Sequence, residues 1–99
     1  MVWTAGPFIH PDWYRTYLFP NLRRLWAPLR ERGKKIIFVC DGNYTSFLDD
    51  IVACGNHGFW FEIFTDLVCV AEKYGKTHVI IGNGDSRVLT FGTREEIRA

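Results

Sequence analysis

The sequence predicts an α/β fold in which about three parallel strands alternate with helices. Three observations predict it. The run Ile36-Ile37-Phe38-Val39-Cys40 is apolar, rich in β-branched residues and ends abruptly at Asp41-Gly42-Asn43. Such a run reads as a short strand buried on both faces. Helix-period apolar patterns lie before and after it. The unit helix, glycine, strand, polar turn then recurs three times along the chain. Strands alternating with helices imply parallel connections, with right-handed crossovers.

Each element has its own warrant. A first helix is expected over about residues 11–32, where Tyr14, Leu18, Leu22, Leu25 and Leu29 form one apolar stripe. Pro11 suits its first turn, where a missing N–H costs nothing. Pro20 and Pro28 are expected to bend or interrupt it, and Gly33 to stop it. Strands are expected over about 35–40, 58–62 and 78–82. Helices are expected over about 45–54 and 66–74, stopped by Gly55 and Gly75. Phe47, Leu48, Ile51 and Val52 make the inner face of the former, and Leu67, Val70, Ala71 and Tyr74 that of the latter. Thr93-Arg94-Glu95-Glu96 is a capping box that starts another helix at 93. Isolated helices need roughly 12–15 residues to be marginal. A helix start so near Ala99 reads as a piece of a longer architecture.

Composition narrows the function classes. The 99 residues are 47 % hydrophobic, 16 % aromatic and 23 % charged. That excludes a disordered tail, a collagen-like chain and a coiled coil. A net charge of +1 excludes a general polyanion binder. Arg23, Arg24, Arg30, Arg32, Lys34 and Lys35 cluster on or just after the first helix. They make a solvated basic face or a local patch, and no nucleic-acid partner is expected. No apolar run approaches the ~18–20 residues of a membrane span, and the N-terminus lacks the pattern of a secretory signal. Cys40, Cys54 and Cys69 are odd in number and without a CxxC spacing. They read as reduced thiols in a cytoplasmic protein, as small buried residues, with Cys40 at a strand end the less settled case. His10, His57 and His78 are scattered, so spacing offers no metal site.

The strand ends carry the candidate chemistry. They present Asp41 and Asn43, then Glu62, then Asn83 and Asp85. In α/β folds, sites collect at the carboxyl ends of strands. Asp, Asn and Gly also dominate ordinary turns, so each position has a purely structural reading as well. Arg87 can hold a ligand carboxylate bidentately or brace its loop.

These residues together resemble the uroporphyrinogen decarboxylase superfamily, which also holds cobalamin-dependent methyltransferases. The resemblance is carried by Gly6-Pro7, His10-Pro11, Leu18-Phe19-Pro20, Glu31-Arg32-Gly33, Asp41-Gly42-Asn43, Glu62 and Lys73-Tyr74-Gly75. Its strongest stretch is Ile81-Gly82-Asn83-Gly84-Asp85-Ser86-Arg87-Val88-Leu89, followed by Phe91-Gly92-Thr93 and Glu95-Glu96. It covers almost the whole chain and implies a partial (β/α)8 TIM-barrel segment from the family's C-terminal half. A complete barrel takes about 250 residues. The resemblance places Asp41, Asn43, Glu62, Asn83, Asp85 and Arg87 at the barrel mouth, as substrate-binding candidates. No catalytic residue is assigned. The family's N-terminal strand and arginine-containing loop have no counterpart here, and its C-terminal histidine segment would lie beyond Ala99.

Two departures refine the expectation. Zinc-dependent methyltransferase relatives carry His-x-Cys at the first strand end, where this chain has Val39 and Asp41. Cys40 lies between them and would point to the other side of the strand, so no zinc or other metal is expected. Decarboxylase-like relatives often have proline after the aspartate of the Gly-Asn-x-Asp motif, where Ser86 stands here. The resemblance implies a lyase of porphyrin biosynthesis, decarboxylating a tetrapyrrole without a cofactor in the complete barrel. Alone, the chain is expected to be inactive. The alternatives are a non-enzymatic self-associating or binding module of this fold, a methyltransferase-family fragment without its zinc ligands, or an active site rebuilt between copies. A homo-oligomer is the expected assembly, because three strands leave two open edges. A tetrapyrrole or other polycarboxylate is the expected ligand, with no membrane partner.

Overall fold

A computed structural model describes residues 2–99. The chain starts as a small antiparallel hairpin, β1 (Val2–Trp3) and β2 (Gly6–Pro7). His10 then caps a short helix, α1 (Pro11–Trp13), its Nδ1 accepting from the Asp12 N–H at 3.2 Å. A π-helical turn over Tyr14–Leu18 joins α1 to α2 (Phe19–Glu31).

That turn corrects the expected stripe. Pro20 has no N–H to donate to the turn before it. The Phe19 N–H instead reaches back five residues to the Tyr14 carbonyl. One extra residue in the turn rotates everything downstream. Tyr14, Phe19 and Trp26 are therefore the buried residues of this stretch, while Leu25 is 63 % exposed and Leu29 is also exposed. Pro28 lies inside α2 without ending it.

The rest alternates strands with helices. β3 (Ile37–Cys40) leads through a 3₁₀ turn (Thr45–Phe47) into α3 (Leu48–Cys54). β4 (Gly58–Phe61) leads into α4 (Leu67–Tyr74), capped by the Asp66 carboxylate on the Cys69 N–H at 3.1 Å. β5 (Val79–Ile81) leads into α5 (Ser86–Phe91) and α6 (Arg94–Arg98). The capping box on α6 is formed in both directions, between Thr93 and Glu96. The larger sheet is parallel throughout, in the order β3-β4-β5. This is the architecture of a partial TIM-barrel segment. No helix among the described residues is long and apolar enough to cross a membrane.

The two faces of this sheet differ. On one, Cys40, Phe59 and Phe61 are buried, with Phe38 and Ile80 half-buried among the helices. The Phe59 and Phe61 rings stack at 5.2 Å, and Trp26 meets Phe38 edge-on at 5.9 Å. Phe47, Leu48 and Ile51 complete the core from the α3 side and Val70 from α4. On the other face, one register row is Val39, Trp60 and Ile81, with exposures of 59 %, 38 % and 44 %. The next row is Ile37, Gly58 and Val79. A Cβ on Gly58 would stand 2.8 Å from the Ile37 side chain and 2.7 Å from the Val79 carbonyl, so glycine lets its neighbours close over it.

The expectation that β3 is buried on both faces is thus corrected. Helices cover a single side, and the other carries an apolar surface open to solvent. The shape agrees. The radius of gyration is 15.0 Å, against about 13 Å for a compact domain of this length.

The amino ends of the strands are tied through His57. Its backbone N–H donates to the Ile36 carbonyl at 2.8 Å, and its carbonyl accepts from Val79 at 3.0 Å. Its Nδ1 accepts from the Ile36 N–H at 3.1 Å, so the ring is neutral with its proton on Nε2. Burial holds its pKa below the usual 6.5, reinforced by the positive charges of Lys35 and Arg30 and by His78. The unfolded chain then takes up a proton first as pH falls. The His57 contribution is intact above about 6.5 and is lost as pH drops toward the folded value. Thermal melts at pH 7.5 and 5 should therefore differ more for the parent than for His57→Asn, which keeps an acceptor that cannot gain a proton. Equal shifts in both proteins would refute this role.

Candidate functional site

The carboxyl ends of the strands are organised by two devices. The first is the N-terminal hairpin, which lies over the turn after β3. The Asn43 N–H donates to the Trp3 carbonyl at 2.9 Å. Gly42 makes this approach possible: its φ is +99°, and a Cβ there would meet the Val2 carbonyl at 2.8 Å. The second is Thr65, which is buried. Its Oγ1 accepts from the Tyr44 N–H and donates to the Gly42 carbonyl, both at 3.0 Å. Thr45 answers from the other loop, its Oγ1 accepting from the Asp66 N–H at 3.0 Å. The loops after β3 and β4 are thereby joined. Sequence reading missed Thr65. Its signal is faint, a hydroxyl one residue before a helix cap.

The expected site residues fall into two groups. Asp41 and Glu62 directly follow the Cys40–Phe61 register pair and continue the face that carries Val39 and Trp60. Asp41 is exposed and Glu62 half-buried. Asn83 follows Gly82 through a cis peptide bond at the end of β5 and is half-buried. The others have structural duties. The Asn43 Oδ1 accepts from the Thr45 N–H at 3.0 Å, which shapes the turn. The Asp85 carboxylate caps α5 on the Arg87 N–H at 2.9 Å. It also takes two bonds from the Arg87 guanidinium, at 3.1 and 2.9 Å. These Arg87 bonds hold the Asp85 carboxyl below the usual carboxylate range. A shallow depression of about 420 Å³ adjoins this pair, bounded by Phe91 and Glu96. Chemically, the strand ends offer two carboxylates, an amide, and one fork-shaped ion pair.

A model of the uroporphyrinogen decarboxylase (URO-D) family matches residues 4–99. The chain belongs to the uroporphyrinogen decarboxylase family. No curated protein and no solved structure matches it significantly. Family membership gives the exposed sheet face a meaning. In a closed (β/α)8 barrel that face is the packed interior, and the carboxyl ends of the strands form the mouth.

Two of the three cysteines of this URO-D chain, Cys40 and Cys54, are buried in the core. Cys40 sits on the helix-covered face, opposite the side chains of Val39 and Trp60. Burial pushes its thiol up to about 12. The Cys54 thiol is also pushed up by burial and donates to the Phe19 and Asp50 carbonyls at 3.3 and 3.2 Å. Cys69 is partly exposed. Alkylation by iodoacetamide at pH 8, followed by mass spectrometry, should label Cys69 first and Cys40 last. Labelling of Cys40 first would show that the helix layer opens. Among the described residues, no group of three or more His, Cys, Asp or Glu side chains is gathered as a metal site.

Proposed function

We propose that this chain supplies one wall of a tetrapyrrole-binding pocket of the uroporphyrinogen decarboxylase type, and that the 99 residues alone do not complete a catalytic site. The match over residues 4–99 carries this reading. Asp41 and Glu62 stand above the apolar row of Val39, Trp60 and Ile81, in keeping with a ring system resting on that surface. In such a pocket, carboxylates stabilise the positive charge that develops on a pyrrole, with no cofactor. Asn83 would add a hydrogen bond to the ring. Arg87 would take a substrate carboxylate by exchanging it for Asp85. Catalysis needs the facing wall as well, because preorganisation requires donors on both sides of the reacting group.

A second copy of the chain covers the open face in this proposal, in a cytoplasmic homo-oligomer. The exposed row and the outer edges of β3 and β5 support that part of the reading. Self-association without turnover is the non-enzymatic version of the same assembly. Two measurements decide. Sedimentation at micromolar concentration should show oligomers; a cooperative 11.5 kDa monomer would overturn self-association. A tetra-acidic porphyrinogen should bind without being decarboxylated. Turnover abolished by Asp41→Asn would show a site rebuilt between copies, and absence of binding would overturn the pocket.

A further inference from the structure

The outer helix layer contains a cavity separate from the strand ends. It measures about 480 Å³ and lies between the start of α2 and the outer side of α3. That is within the roughly 300–1,000 Å³ range of small-molecule sites. Its floor is apolar: Phe19 and Cys54 are buried, and Pro20 and Ala53 join them. Its walls are charged: Arg15, Arg23 and Arg24 on one side and Asp50 on the other.

The charges do not cancel. Asp50 accepts from the Arg15 Nε at 3.2 and 3.3 Å, which neutralises that guanidinium. Arg15 also has Asp12 at 3.8 Å. Arg24 donates to the neutral side chain of Asn21. Among the described residues, neither Arg23 nor Arg24 has a carboxylate within ion-pair distance. Two unneutralised guanidiniums thus stand at the edge of an apolar floor. Guanidinium forks match phosphate and carboxylate oxygens. The floor selects a ligand with an apolar body, which a bare inorganic anion lacks.

We propose that this cavity is a binding site for a small amphipathic anion, an apolar or aromatic body carrying one phosphate or carboxylate, held by Arg23 and Arg24 over Phe19 and Ala53. No lining residue belongs to the sheet or its strand-end loops, so the site stands or falls independently of the proposed tetrapyrrole wall. Asp50 acts as a built-in competitor, because it occupies the Arg15 fork that an anion would otherwise use.

Phenyl phosphate and benzoate are the probes, titrated into the full ¹⁵N-labelled chain and followed by amide and arginine Nε–H shifts. Shifts should centre on Arg23, Arg24, Ala53 and Cys54. A winning phosphate or winning benzoate tells which anion the forks prefer. Inorganic phosphate and phenol should each bind at least about tenfold more weakly, since each offers only half of the recognition. The exposed double variant R23Q/R24Q should keep the parental melt and lose at least tenfold in affinity. D50N should tighten binding by freeing Arg15. Shifts confined to Val39, Trp60 and Ile81, or an R23Q/R24Q affinity equal to the parent, would overturn the proposal. So would a D50N protein that folds and binds more weakly.

Discussion

Phe61→Ala is expected to destabilise the chain by about 3–5 kcal/mol, whereas Trp60→Ala, one residue away, costs below about 2 kcal/mol. The two side chains are of similar character and stand on adjacent positions of the central strand. They differ in what surrounds them. Phe61 is 1 % exposed, stacked on Phe59 beneath the helices, so its removal leaves a void that the core cannot refill. Trp60 faces the open side, where truncation leaves no cavity. Urea unfolding at nanomolar concentration, where association is weakest, is the measurement. A typical domain holds only about 5–15 kcal/mol in total, so Phe61→Ala brings this chain close to unfolding. Equal losses at both positions would mean that the Trp60 face is covered in solution. The same pair compared at micromolar concentration then reports on self-association: the Trp60 cost should rise with concentration and the Phe61 cost should not.

Thr65→Val is the second large expected effect, a loss of about 2–3 kcal/mol despite nearly equal volume. The hydroxyl satisfies the Tyr44 N–H and the Gly42 carbonyl together, inside a buried site. Valine leaves both backbone groups without a partner, which is costlier than never having had the bond. Thr65→Ser, which keeps the oxygen, should lose less than half as much. The consequence reaches the rim, because Gly42 and Tyr44 flank Asn43 and lie beside Asp41. Hydrogen exchange at the Tyr44 amide should accelerate in Thr65→Val and remain near parental in Thr65→Ser. A valine variant with parental stability would show that the two loops are held by other means.

Legibility differed from element to element. The fold class was readable because three β-rich runs alternate with helix-period patterns, and both periods are local properties of the chain. The capping box at Thr93 was readable for the same reason, since its partners are three residues apart. The stripe along the first helix was misread beyond Leu22. A single π turn before Pro20 shifts the face by one residue, and nothing in leucine spacing announces it. At the strand ends, residue types were legible but their engagements were not. Asp85 and Arg87 are bonded to each other, while Asp41 and Glu62 continue the open face. Both outcomes are compatible with the same turn-rich sequence.

What the amino-acid sequence determined by itself was the alternation of three parallel strands with helices and the family motif set along residues 4–99. Periodicity, caps and turn residues act over a few positions, so they are written locally. Only the tertiary structure decided which face of the sheet is covered, which carboxylates are already paired, and that Arg23 and Arg24 line a common cavity. An apolar run such as Ile37–Val39 has the same composition whether one or both of its faces are packed. The difference lies in how many layers the chain can lay against it, and here the helices supply one.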